Sequence, residues 1–165
     1  MRFNEHIISL NNAFTLLIEF NSFNSEATRT IFSLADKNEL SNILSLRITS
    51  NNNSTSSNFR YLFNNTGVSI FENNQQSVKA NKRFVITNNP QTNIISAYWW
   101  DSGESIDTTY TTKWNVTYQP ELKSRELILI LGGEYRTDLY GNWMYALPNI
   151  KYSYIKYWSS LLGPT

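Results

Sequence analysis

Cysteine is absent from this 165-residue sequence, and that absence removes several kinds of chemistry at once. No disulfide can staple the fold, no thiolate can bind a metal or attack a substrate, and packing alone must carry stability. Histidine occurs once, as His6, which leaves a serine–histidine–aspartate arrangement with little support. Only 16% of residues are charged and the formal net charge is +1, so the chain lacks the basic footprint of a nucleic-acid binder. Gly132-Gly133 has neither the lysine nor the helical context of a phosphate loop. Long apolar runs are missing as well. Asn4, Glu5, His6, Asn11 and Asn12 interrupt the first twenty residues, unlike a signal-peptide core, and no stretch approaches a transmembrane span. The expectation is a soluble chain that, if it works outside a cell, leaves by another route or as part of a larger assembly.

What is present points to strands. Aromatics reach 15%, and Asn, Ser and Thr together make up about a third of the chain. Thr and aromatic residues fit pleated surfaces, and Asn accepts turn geometry. Phe14, Leu16, Ile18 and Phe20 alternate along one segment; Leu44, Leu46 and Ile48 do so along another, as do Phe59, Tyr61 and Phe63. Val68 and Ile70 repeat the step, and further apolar runs lie at 30–34, 83–87, 94–100, 114–118, 126–131, 142–147 and 150–158. Polar clusters separate them: NSFNSEA, NNNSTSSN, NNTG, ENNQQ, TNNPQTN and DSGES. Strands at this spacing predict an all-β sandwich or barrel. The length suits one domain over 1–165, and residues 36–44 read as a loop leading into a strand.

The segment LILILGGEYRTDLYGNW, 127–143, carries the most local information. Leu127 to Leu131 are apolar at every position, as expected of a central strand covered on both faces. Gly132-Gly133 supplies the freedom for a sharp exit. Glu134 to Tyr140 then reads as a rim loop, with a new strand opening at Gly141.

The stretch ELILILGGEYRTDLYGNWMYALPNIKYSYIKYWSSLL resembles the C-terminal third of laminin-G-like, concanavalin A-type jelly-roll domains. Those domains commonly close with a leucine-glycine-glycine strand end, a loop, a glycine opening the next strand, and a last strand of the I-K-Y type. FTLLIEFNS, RTIFSLAD, NILSLRI and NFRYLFNN are similar to the family's opening strands. Between Tyr98 and Tyr118 the chain departs from the pattern, with no equivalent of the family's Y-V-N-G hairpin. The resemblance implies an antiparallel two-sheet β-sandwich, with the segment Phe3–Ile8 beside Lys151–Trp158. It also implies lectin-like recognition of a glycan or cell-surface receptor, by an extracellular or virion-surface module.

Chemistry narrows the reading. Glycoside hydrolases of this fold place paired carboxylates at alternating positions of one strand, and no acidic-x-acidic pattern occurs here, so catalysis is not expected. Asp101, Glu104 and Asp107 offer hard oxygen ligands for calcium, or form a solvated acidic turn. A regular strand sends Trp99 and Trp100 to opposite faces, so both cannot be core. Tyr135, Tyr140 and Trp143 gather around the glycine turn, with Arg136, Asp138 and Asn142 near in sequence. Aromatic faces stack on sugar rings while amide, carboxylate and guanidinium groups bond the hydroxyls. The candidate carbohydrate-binding residues are therefore Trp99, Trp100, Tyr135, Arg136, Asp138, Tyr140, Asn142 and Trp143. The alternative expectation is a structural or oligomerisation module of a virus or phage particle.

Overall fold

The computed structural model describes residues 7–22, 29–39, 41–50, 57–63, 70–76, 82–101, 114–138, 141–146 and 150–162. Among them the chain forms β1 (Phe14–Ser22), β2 (Arg29–Asp36), β3 (Ser41–Ser50), β4 (Ser57–Phe63), β5 (Ile70–Gln76) and β6 (Lys82–Asn89). The remaining strands are β7 (Ile94–Asp101), β8 (Trp114–Thr117), β9 (Leu127–Leu131), β10 (Gly133–Asp138), β11 (Gly141–Ala146) and β12 (Ile150–Trp158). One 3-10 turn, Pro120–Ser124, leads towards β9. The strands form a sheet of order β12-β1-β6-β7-β8, a sheet of order β5-β4-β3-β2-β9, and the hairpin β10-β11. This is the all-β class that the alternating pattern predicts, in the antiparallel two-sheet arrangement that the resemblance implies. No described helix is long and apolar enough to cross a membrane.

The chain gathers into two compact units, each drawn from three separated stretches. One holds Met1–Ile8, Phe23–Val78 and Glu126–Ile150; the other holds Ser9–Ser22, Lys79–Arg125 and Lys151–Thr165.

In the first unit, register explains which side chains share a face. Phe32 pairs with Leu46 and Leu131, Leu34 with Leu44 and Leu129, and Leu44 with Phe63. All of these are buried and make one apolar face. On the opposite face Ser33 pairs with Ile130 and Ala35 with Ile128. A register shift between Leu34 and Ala35 sets Ala35 against Asn42. Such a bulge inserts one extra residue and inverts the alternation beyond it. It turns the Asn42 side chain to the face of Ser33 and Ala35, away from that of Leu44.

β9 lies at the end of its sheet rather than at the centre, yet all five of its residues are buried. The next strand along the chain supplies the cover. Gly132 takes φ 70°, a left-handed value that a Cβ disfavours, and its amide donates to Ile31 O at 2.9 Å. The chain thereby reverses, and β10 lies against β2, β3 and β9. Three hydrogen bonds seat it. Ser33 Oγ donates to Gly133 O at 2.9 Å, the Tyr135 amide donates to Asn42 Oδ1 at 2.9 Å, and Asn42 Nδ2 donates to Tyr135 O. Asn42 thus presents a side-chain amide to one peptide group as a neighbouring strand would, satisfying both its donor and its acceptor. Tyr135 packs with Ala35, Ile128 and Ile130.

The second unit is built on a face of Phe14, Leu16, Ile18, Phe20, Phe84, Ile86, Ile95 and Ala97, all buried. Phe20 and Phe84 stack with centroids 5.3 Å apart. Asn88, fully buried, anchors the chain ahead of β1: its Nδ2 donates to Leu10 O at 3.0 Å and to Asn12 O at 2.8 Å. The Tyr118 hydroxyl lies 2.8 Å from Asn88 Oδ1 and 3.1 Å from Leu10 O. Burial pushes the Tyr118 phenol above its ordinary value, while the Asn88 contact opposes the shift.

Several expectations from sequence are corrected. Ile8 pairs with Leu127 through reciprocal amide bonds of 2.8 Å, and the last strand pairs with β1; residues 3–6 of the expected Phe3–Ile8 segment lie outside the described residues. ENNQQ is not a turn but part of β5, paired with β4. Glu134 to Asp138 is a strand, not a rim loop. The loop reading of 36–44 survives only at its start: Asp36 Oδ1 accepts the amides of Asn38 and Glu39 at 2.8 and 2.9 Å, and β3 begins at Ser41.

Two measurements check these contacts. In urea unfolding, Asn42→Ala should lower stability by about 2–4 kcal/mol, because it strands a buried amide and a buried carbonyl; Tyr135→Ala should lower it by about 3–5 kcal/mol. Losses below about 0.5 kcal/mol would show that the hairpin is not held this way. For Tyr118, a raised folded value means a contribution complete below the unfolded value of 10.0 and lost as pH rises through the folded one. An alkaline titration of the thermal midpoint should therefore be shallower for Tyr118→Phe than for the parent.

Candidate functional site

The solvent side of the β12-β1-β6-β7-β8 sheet is the described surface best built to meet a ligand. Pleating sends alternate residues to the two faces, and in β1 and β7 one parity is the more buried, whereas in β6 Phe84 to Asn88 are all buried. In β1, Leu17 and Glu19 stand half-buried between the core residues. Register carries that phase across the sheet. Glu19 pairs with Arg83, Leu17 with Val85, and Thr15 with Thr87. Beyond them Arg83 pairs with Trp100, Val85 with Tyr98, and Thr87 with Ser96, and Ser96 pairs with Asn115 on β8. The result is a face on which Arg83, Ser96 and Tyr98 are half-buried and Asn115 is exposed, beside Thr15, Val85 and Thr87, which are buried.

Its one described acid is fully engaged. Arg83 Nε donates to Glu19 Oε2 at 2.5 Å, and Ser153 Oγ on β12 donates to Glu19 Oε1 at 2.9 Å. The Arg83 bond holds the Glu19 carboxyl below the usual 4.5; partial burial opposes this, and Ser153 and the charge of Arg83 reinforce it. Thr15 closes one end of the surface. Its hydroxyl donates to Ser160 O at 2.8 Å and accepts the Leu162 amide at 2.9 Å, which draws the segment after β12 across β1. With its acid and base paired, the surface offers directional hydrogen bonds rather than net charge.

The residues expected from sequence fall in separate places. Trp99 and Trp100 stand in β7, opposite Phe84 and Arg83. The other group lies in the hairpin, where Arg136 pairs with Trp143, Thr137 with Asn142, and Asp138 with Gly141. Tyr140 lies outside the described residues. Tyr135 is corrected: at 6% exposure, inside the Ala35–Ile128–Ile130 cluster, its ring is core and offers no stacking face. The reason is the strand character of Glu134–Asp138, which lays Tyr135 on the sheet below. Of the proposed calcium ligands, Asp101 ends β7, and Glu104 and Asp107 lie outside the described residues. Among the described residues no group of three His, Cys, Asp or Glu is placed to hold a metal.

Sequence reasoning missed Glu19, Arg83, Ser153, Tyr154 and Tyr157. Glu19 had a readable signal, a lone charge between Ile18 and Phe20 at the outward phase of an alternating strand. Its partner did not, because pairing Glu19 with Arg83 needs the order of the sheet.

No protein-family model matches the chain, and neither does any curated protein. Solved structures do. A native heptameric SAP-like pentraxin from Limulus polyphemus superposes with TM-score 0.62 at 13% identity, over 98% of this chain and 70% of that one. An alginate lyase from Pseudomonas aeruginosa gives 0.58 at 9%, over 92% and 66%. The CBM2 module of the evolved Dit protein of Lactobacillus casei phage J-1 gives 0.53 at 13%, over 94% and 65%. At these identities the likeness shows the fold, a jelly-roll sandwich of the concanavalin A-like kind.

The Glu19 contacts generate a test. A depressed carboxyl contributes stability that is complete above about pH 4.5 and is lost as pH falls through the folded value. Between about pH 5 and pH 3 the thermal midpoint of the parent should fall more steeply than that of Glu19→Gln. Parallel curves would show that the Arg83 and Ser153 contacts do not hold in solution.

Proposed function

We propose that this chain is a non-catalytic, lectin-like module that binds a glycan, free or on a cell-surface receptor, at the outside of a cell or on a virus particle. The observation that carries the reading is the outward face of the β1-β6-β7-β8 strands. There the Tyr98 phenol stands among Arg83, Ser96 and Asn115 on a sheet whose pairing fixes their spacing. Sugars are met by this combination, a ring face for C–H edges and fixed donors and acceptors for hydroxyls, and rigid strands reduce the ordering cost of binding.

The similarity of fold supports the reading in kind. The CBM2 module of the phage Dit protein and the binding domain of a botulinum neurotoxin, the latter with TM-score 0.50, share the fold. The sequence likeness to laminin-G-like domains belongs to the same proposal. Against catalysis stands the state of Glu19, a single carboxylate occupied by Arg83 and Ser153, where glycoside hydrolysis needs two with distinct roles. The alginate lyase likeness favours one second reading, a polysaccharide lyase on the same face.

One experiment separates these. On a broad glycan array the chain should retain at least one glycan class, and Tyr98→Ala should weaken that binding about five- to tenfold, the equivalent of roughly 1–1.5 kcal/mol of ring contact. Arg136→Ala and Trp143→Ala probe the hairpin, and Trp99→Ala and Trp100→Ala the end of β7; whichever variants lose binding locate the site. Solutions of the retained glycan should gain neither reducing ends nor unsaturated ends. An array with no retained glycan would sink the proposal, and sustained release of either product would replace it with an enzyme.

A further inference from the structure

Thr15 is only 2% exposed, although its place in β1 should leave it wet. Its neighbours Phe14 and Leu16 are core, so its own side chain leaves the opposite, outward face of the strand. The stretch after β12 hides it. The Thr15 hydroxyl donates to Ser160 O and accepts the Leu162 amide, the two peptide groups that flank Leu161. A parallel strand would bond such groups with its backbone; here one side-chain oxygen serves both. The cover is itself lightly held. Residues 159–162 are all exposed, with Leu161 and Leu162 at 44% and 41%, and a segment with so little apolar contact opens easily.

Register places Thr15 at one end of a polar row. Thr15 stands opposite Thr87, Thr87 opposite Ser96, and Ser96 opposite Asn115. Residues directly opposite in antiparallel strands share a face, so the hydroxyls and the amide form one line across β1, β6, β7 and β8. At the usual strand spacing that line spans roughly 14 Å. Exposure falls along it: Asn115 is exposed, Ser96 half-buried, and Thr87 and Thr15 buried. The row is open at its β8 end and closed at its β1 end.

We propose that residues 159–162 are a displaceable strap, and that the row is a site for an extended, neutral oligosaccharide that must lift the strap to reach Thr87 and Thr15. The inference rests on the glycan-binding reading and adds to it a dependence on ligand length. Neutral sugars fit because the row carries no charge and the nearby Glu19 is paired with Arg83. Neighbouring sugar hydroxyls can accept the Thr15 proton and donate to its oxygen, replacing the Ser160 carbonyl and the Leu162 amide. Those two groups then turn to water, which the exposed strap already meets. A ligand that needs the open form has its affinity reduced by the fraction of chains that are open. A short sugar held at Ser96 and Asn115 is spared that reduction.

Two measurements decide the matter, and the first involves no sugar. In the parent, the Leu162 amide should exchange with deuterium more slowly than an unstructured peptide, yet about a hundredfold or more faster than the Ile86 amide, which lies in the middle strand of the sheet. The second uses Leu162→Pro, which deletes the donor that Thr15 accepts, with folding checked by circular dichroism. On an array bearing a disaccharide and a hexasaccharide of each neutral glycan class, this variant should bind hexasaccharides about fivefold or more tighter than the parent. Its disaccharide binding should be unchanged. A Leu162 amide as slow as Ile86, or as fast as an unstructured peptide, would mean that the strap never opens or never closes, and either result overturns the inference. Sugar binding with the same dependence on length in both chains would overturn it and leave the glycan reading standing. Absence of any bound sugar on either chain would remove both.

Discussion

The first unit depends on one side-chain amide. Asn42 bonds both polar groups of the Tyr135 peptide, and this is what lets a hairpin lie over a sheet without leaving backbone groups dry and unpaired. The contact exists only because the pairing of β2 with β3 is bulged beside Asn42. With regular alternation, the amide would point to the face of Leu44, into apolar surroundings where it would lack a partner. One irregularity in the β2-β3 ladder therefore decides whether β10 has a seat. The burial of β9 depends in turn on β10 being there, because an end strand with five aliphatic residues would otherwise show half of them to water.

Much of this architecture is legible in the sequence. Alternation locates the strands at Phe14–Ser22, Ser41–Ser50 and Lys82–Asn89 because a half-buried strand must repeat every second residue. Gly132 announces a reversal, and the structure gives it the left-handed φ that explains it. The failures have a common cause. β10 reads as a loop because GEYRTD lacks two-residue apolar periodicity, Tyr135 being its one large apolar side chain. ENNQQ reads as a turn because composition describes side chains, whereas β5 is recruited by the free backbone groups of β4. Asn88 sits in a run of turn-like residues and is core, since its partners, Leu10, Asn12 and Tyr118, are distant in sequence. The candidate site is legible in part. Tyr98 through Trp100 stand out as aromatics, but Arg83 and Ser153 acquire meaning only once the sheet sets them beside Glu19.

The engaged state of Glu19 also shapes what the outward face of that sheet can discriminate. A free carboxylate would attract cations and repel acidic sugars at long range. Locked to Arg83 and Ser153, it acts instead as a strut that ties β6 and β12 to β1. Under the proposed glycan-binding role, selectivity would rest on the positions of donors and acceptors and would vary little with ionic strength near neutral pH.

The way the two units interleave along the chain bears on how the molecule is made. β1 is synthesised before its outer neighbour β12, which lies more than a hundred residues later in the chain; β2 likewise waits for β9. Neither unit can be completed from one continuous stretch of nascent chain. Loop closure of this span slows assembly more than it weakens the product, since each doubling of length adds only about 0.6 kcal/mol. The edge of β2 is open until synthesis passes β9 and that of β1 until it passes β12, and the lysines of the last strand arrive too late to guard them. During that interval the chain's solubility rests on its Asn, Ser and Thr content, which keeps the waiting segments hydrated.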